Sequence, residues 1–134
     1  MRTPSQTVGP YFAIGLSRRP LNELPGGSVR LRGRVLDGEE RPADDAVIEL
    51  WDPVFGFARC GTNADGEFTF LLPPQARRFE VLVFARGLLK PVLTRLYVPG
   101  EAAEDPSMVA RKEGDGLRYD VHLQGEQETA FFEL

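Results

Sequence analysis

Few side chains in this 134-residue chain could do chemistry: one histidine, His122, one cysteine, Cys60, and three tyrosines, Tyr11, Tyr97 and Tyr119. Histidine and tyrosine together could hold a metal ion, but such a site needs three or four convergent ligands. From Leu117 to Leu123 apolar and polar residues alternate, and in a strand successive side chains point to opposite faces. Leu117, Tyr119, Val121 and Leu123 therefore share one face, and Arg118, Asp120 and His122 share the other. Tyr119 and His122 point apart, the first toward a core and the second toward a surface or interface. Cys60 would need that same single histidine to become an activated nucleophile, and it reads more simply as a small buried hydrophobe. A zinc finger, an iron–sulfur site, a disulfide scaffold or any site needing two histidines cannot be built from this chain alone.

Three other features could hold an anionic or flat ligand. Arg30, Arg32 and Arg34 form a stripe that could collect an anion. Ordinary antiparallel pairing offers a plainer role, ion pairs with Glu49 or nearby acids on a solvated sheet face. In Thr7-Val8-Gly9-Pro10-Tyr11 a hydroxyl, a residue without a side chain and a rigid ring lie close together, so backbone can approach a flat ligand closely. Any arm packing on a partner could read the same. Arg86 ends the apolar stretch before Gly87, where a guanidinium can reach a carboxylate and grip it through two parallel hydrogen bonds. The alternative is a strand-end arginine reaching into water.

The elements that must position these residues are short strands. The chain suits a single domain, which excludes a two-domain dinucleotide enzyme. Its 42% hydrophobic content, with nine Phe, three Tyr and one Trp, is enough for a core, and 27% charge is ordinary for a globular domain. Fourteen Gly and 11 Pro mean frequent chain reversals and exclude helical bundles. A net charge of −4 argues against general affinity for nucleic acid. No stretch approaches a membrane span and the first residues lack the apolar core of a signal peptide, so a cytoplasmic location is expected, consistent with a lone cysteine.

Residues 1–27 are rich in Pro and Gly without a period, and read as an arm and loop lying across something. Residues 28–134 read as one domain. Alternation places strands at Ser28–Val35, Ala46–Trp51 and Glu67–Leu71, with Phe68 and Phe70 on one face. Phe55–Cys60 reads as a short strand. Phe79–Ala85 is nearly continuous in apolar residues, as in a strand covered on both sides. Further strands fall at Val92–Val98, Leu117–Leu123 and Thr129–Glu133. Glu101–Lys112 could hold a helical turn limited by Pro106. The pattern predicts an all-β fold, an antiparallel β-sandwich of seven to eight strands, Ig-like or transthyretin-like, with an extended N-terminal arm.

The wording of the sequence says more than its periods. TPSQTVGPYFAIGL at Thr3–Leu16, VRLRGRVLDG at Val29–Gly38, IELW at Ile48–Trp51, GFARCGTNADGEF at Gly56–Phe68, VLVFARGLLKPVLTRLY at Val81–Tyr97 and YDVHLQGEQETAFFEL at Tyr119–Leu134 cover most of the chain. In this order they resemble the α-subunit branch of the intradiol ring-cleaving dioxygenases that act on protocatechuate. The family inserts both atoms of O2 between the two hydroxyl-bearing carbons of a catechol. For protocatechuate the product is 3-carboxy-cis,cis-muconate.

The resemblance implies a non-haem Fe(III) held by two Tyr and two His of a partner β subunit. It implies an α chain with no metal site and no catalytic residue, inactive alone and assembled with the β subunit in an oligomer. Its role would be to wall the substrate pocket at the interface, with substrate-binding residues carried over onto Thr7, Gly9, Pro10 and Arg86. Aligned on Ala85-Arg86-Gly87, Arg78 and Glu80 stand where the β subunit's histidines would be. This chain departs from the family by passing almost directly from Trp51 to Gly56 and from Leu72 to Arg78, without the long excursions of relatives. The alternative is a non-catalytic β-sandwich binding or assembly module derived from that subunit. An independent hydrolase on the same scaffold is a third reading, weakened by the single histidine.

Overall fold

Alternation decides which residues become the core. In a computed structural model that describes residues 21–88, 90–123 and 128–132, strand β1 (Val29–Leu36) turns Leu31 and Val35 fully inward and leaves Arg30 and Arg32 exposed. The other strands are β2 (Val47–Asp52), β3 (Gly56–Gly61), β4 (Glu67–Leu72), β5 (Arg78–Phe84), β6 (Val92–Tyr97), β7 (Arg111–Glu113), β8 (Gly116–Arg118) and β9 (Val121–His122). They form two sheets, one in the order β4-β1-β8-β7 with β9 also paired to β1, the other in the order β3-β2-β5-β6. Ile48 and Leu50 of β2, Phe68 and Phe70 of β4, and Phe79, Val81 and Val83 of β5 meet between them in one core. The sandwich expected from the alternation is present, and among the described residues no helix is long and apolar enough to cross a membrane.

Most neighbouring strands pair antiparallel, but β1 pairs parallel with both β8 and β9. The expected strand Leu117–Leu123 is divided there because the chain makes a close approach at Tyr119. A Cβ on Gly33 would lie 1.7 Å from the Tyr119 carbonyl oxygen, so only glycine fits, and the Arg34 amide donates to the Asp120 carboxylate at 3.0 Å instead of to a backbone carbonyl. The faces are nevertheless as alternation requires. Tyr119 and Val121 are buried, and His122 lies half-buried on the other side.

The edges are finished by irregular segments. The Arg59 amide of β3 donates to the Leu21 carbonyl at 2.9 Å, and the Leu71 amide of β4 donates to Asn22 at 3.0 Å. The last part of the arm and loop, Leu21–Leu24, thus ties one sheet to the other. At the opposite edge the Phe132 amide donates to the Leu93 carbonyl of β6 at 2.7 Å. The strand expected at Thr129–Glu133 is reduced to this bridge, because Thr129 is tied instead to His122: its amide donates to the His122 carbonyl, and its hydroxyl accepts from the His122 amide. Glu133 lies outside the described residues. A single 3₁₀ turn, Pro106–Met108, occupies the stretch expected to hold a helical turn, and the Asp105 side chain caps it by accepting from the Ser107 amide at 2.9 Å.

Two further details differ from the sequence expectation. β5 is not covered equally on both faces: Phe79, Val81 and Val83 are buried, while Glu80, Leu82 and Phe84 are half-buried. Its outer face carries an ion pair between Glu80 and Arg95 rather than a second apolar layer. Glu49 does not pair with the arginine stripe, because β1 and β2 lie in different sheets; it pairs with its cross-strand neighbour Arg59 at 3.1 Å. Arg32 of the stripe instead meets Glu113 of β7 at 3.3 Å, and Arg34 donates to the Asp65 carbonyl at 3.0 Å.

Candidate functional site

Arg86 stands two residues beyond the end of β5, at the tip of the turn that Gly87 closes with a positive φ of 92°. Its side chain is 84% exposed, and its Nε lies 2.8 Å from Oδ2 of Asp45. Register explains the meeting. Val47 of β2 faces Phe84 of β5, so the residues just before β2 and just after β5 emerge together at one end of the sheet. Asp45 is held on a short, braced segment. The Thr62 hydroxyl accepts from the Ala46 amide at 3.0 Å and donates to the Ala43 carbonyl at 2.7 Å, and the Thr62 amide donates back to Ala46 at 2.9 Å. A carboxylate on a braced backbone segment therefore faces a reaching guanidinium whose outer end is open to solvent. Such a guanidinium can bind a carboxylate or phosphate through two parallel hydrogen bonds.

At the other end of the same sheet, a seven-residue walk down β5 of roughly 23 Å, lies an open cleft of about 730 Å³. Arg77, Arg78, Tyr97 and Glu104 contribute to it, as do two short connections, at Asp52–Phe55 and Gln75. Its polar groups largely satisfy one another. Arg77 pairs with Glu101 at 2.8 Å, the Tyr97 hydroxyl donates to Glu104 at 2.6 Å, and Arg95 pairs with both Glu104 and Glu80 while its guanidinium lies 4.7 Å from the centre of the Phe132 ring. The hydrogen bond from Tyr97, together with Arg95, holds the Glu104 carboxyl below its ordinary pKa of 4.5.

Of the two positions that the resemblance sets against histidines, Arg78 lines this cleft and Glu80 follows it two residues on in β5, and an arginine beside an ion-paired glutamate does not fit an iron ion. Arg78 carries a positive charge, and Glu80 is engaged by Arg95 at 2.9 Å. Tyr119 is elsewhere, buried in the core with its hydroxyl donating to the Arg95 carbonyl at 2.9 Å, and burial holds its pKa well above the usual tyrosine value. His122 lies with Nδ1 3.5 Å from Glu40 and, among the described residues, converges with no tyrosine. Among the described residues no three His, Cys, Asp or Glu side chains come together as a metal site would require.

The remaining candidates separate cleanly. Cys60 is half-buried rather than buried, because it sits one residue from the end of edge strand β3, with Sγ 3.3 Å from the Gly61 carbonyl. Thr7, Gly9 and Pro10 lie outside the described residues. Asp45 was not foreseeable from sequence as part of a site, since an Asp-Asp pair before a strand reads only as a turn.

No family model matches the chain. It is 31% identical to the protocatechuate 3,4-dioxygenase alpha chain of Burkholderia cepacia, in an alignment of 192 positions spanning 99% of this chain and 98% of the relative. It is 30% identical to the protocatechuate 3,4-dioxygenase alpha chain of Pseudomonas putida over 98% of this chain and 96% of the relative. An alignment longer than the 134 residues present means that the relatives carry internal segments absent here. Among solved structures, the dioxygenase domain of a dioxygenase and carbohydrate-binding protein fusion from Streptomyces sp. SirexAA-E superposes with a TM-score of 0.61 at 25% identity, covering 92% of this chain and 98% of that one. The catechol 1,2-dioxygenase of Pseudomonas arvilla C-1 shares the fold at 18% identity, with a TM-score of 0.56 over 81% of this chain and 59% of that one. Sequence likeness along nearly the whole chain and the same sandwich lead to one conclusion: this chain belongs to the protocatechuate 3,4-dioxygenase alpha chains, in the intradiol ring-cleaving dioxygenase family of oxidoreductases.

Proposed function

We propose that this chain is the substrate-positioning subunit of a cytoplasmic protocatechuate 3,4-dioxygenase, assembled with a β chain that holds the iron. The name alpha chain carried by its relatives implies a second kind of chain in a hetero-oligomer. Intradiol dioxygenases depend on iron, which supplies the activation of substrate and O2 when bound. The arginine and the engaged glutamate at the aligned histidine positions favour placing that iron in the partner. The reaction of the assembly is cleavage of protocatechuate with O2 to 3-carboxy-cis,cis-muconate.

The observation that carries the reading is the likeness to two alpha chains over 98–99% of this sequence. Within it, Arg86 takes the substrate carboxylate through the open end of its guanidinium. Gly9 and Pro10 lie against the flat ring and Thr7 supplies a hydroxyl. These contacts lower the entropic cost of aligning the ring with the reacting centre, a contribution of positioning rather than of bond chemistry. The test is steady-state kinetics of the assembled enzyme carrying Arg86→Ala. A raised KM for protocatechuate is expected, and unchanged kinetics would remove Arg86 from the pocket.

A further inference from the structure

Arg86 is a long side chain at the tip of a turn, and 84% of it is exposed. Left alone, such a side chain samples many rotamers and presents its guanidinium in many orientations. Among the described residues one ion pair restricts it, that of Nε with Oδ2 of Asp45 at 2.8 Å. The partner is far less free. Asp45 is 29% exposed at its side chain and belongs to a segment whose neighbours on both sides, Ala43 and Ala46, are hydrogen-bonded to Thr62. Pairing through Nε engages one edge of the guanidinium plane and leaves the terminal nitrogens available to a second carboxylate.

From this geometry we propose that Asp45 is a positioning residue: it holds the Arg86 guanidinium in the orientation that receives the carboxylate of the substrate. The proposal rests on the reading of Arg86 as a substrate contact. Its effect falls on binding and not on turnover, because Asp45 touches neither the ring nor the bonds that change. It also falls only on substrates that carry the carboxylate. An exposed ion pair biases an orientation by a few-fold at most, which sets the size of the effect.

The experiment compares the complex with its β chain as wild type, Asp45→Ala, Asp45→Glu, Arg86→Ala and the Asp45→Ala/Arg86→Ala double variant, using protocatechuate and unsubstituted catechol at 0.15 M salt. Asp45→Ala is expected to raise KM for protocatechuate about two- to fivefold with kcat unchanged, and to leave KM for catechol unchanged. Asp45→Glu, which keeps the charge, should recover part of the loss. In the Arg86→Ala background, removal of Asp45 should have no further effect. If Arg86→Ala raises KM but Asp45→Ala leaves it equal to or below the wild-type value, Asp45 has no positioning role and the reading of Arg86 stands. If Arg86→Ala changes nothing, both fall. An equal loss on catechol, or a loss that persists without Arg86, would mark Asp45 as merely structural and overturn the proposal.

Discussion

At the scale of single residues, the account depends on one guanidinium and what it is offered. A hydrogen bond to a charged group contributes about 1.5–3 kcal/mol, so Arg86→Ala should raise KM for protocatechuate roughly ten- to a hundredfold. Arg86→Lys keeps the charge and loses the planar fork, and should recover only part of this. A lysine variant indistinguishable from wild type would argue for simple charge attraction. Glu104 illustrates a different residue-level effect. Tyr97 and Arg95 hold its folded pKa below the ordinary 4.5. Its contribution to stability is therefore fully present above pH 4.5 and is lost as pH falls through the lower folded value. Asp37, lowered by the amides of Arg41 and Glu39, and Asp105, lowered by Ser107, act in the same direction. Thermal unfolding should show Tm declining below pH 4.5, with a shallower decline in Glu104→Gln; identical slopes would contradict the role of Glu104. Arg86 was visible in the sequence because it ends an apolar run. Its partner Asp45 was not, because a contact between two turns at one sheet end leaves no periodic trace.

At the scale of elements, alternation was informative wherever one face of a strand is buried. It correctly placed Leu31 and Val35, Phe68 and Phe70, and Tyr119 and Val121 inward. It could not distinguish a continuous strand from one interrupted at Tyr119, since the interruption comes from the approach of the Tyr119 carbonyl to Gly33 across the sheet. That approach is testable. Gly33→Ala would put Cβ 1.7 Å from the Tyr119 oxygen and 2.6 Å from Cζ of Phe68. It should destabilise the domain by about 3 kcal/mol or more, read by urea unfolding. Gly61→Ala, whose nearest new neighbour is 3.8 Å away, should change stability by less than about 0.5 kcal/mol. Equal effects at the two sites would show that the packing of β1 on Tyr119 is looser than described. The same limit of local pattern explains Thr129–Glu133, whose apolar spacing reads as a strand but whose backbone is claimed by His122 and Leu93.

At the scale of the whole molecule, the short connections matter most. The chain turns directly from Trp51 to Gly56, with the Asp52 carboxylate accepting from the Val54 and Phe55 amides at 2.8 and 2.9 Å. The turn leaves Trp51 50%, Val54 81% and Phe57 48% exposed, on the hairpin of β2 and β3. The sandwich itself does not depend on the missing segments, since its core is closed by strands that are all present. The single histidine, read first as a limit on chemistry, is one ground of the proposal that a partner chain holds the reacting centre. The most direct test is co-expression with a candidate β chain, followed by size measurement, metal analysis and O2 uptake on protocatechuate. The account predicts a joint complex whose iron is lost when the β chain's ligands are changed, and not when Arg78 or Glu80 is changed, with protocatechuate-dependent O2 uptake. A stable, iron-free homo-oligomer that leaves the β chain unbound would contradict it.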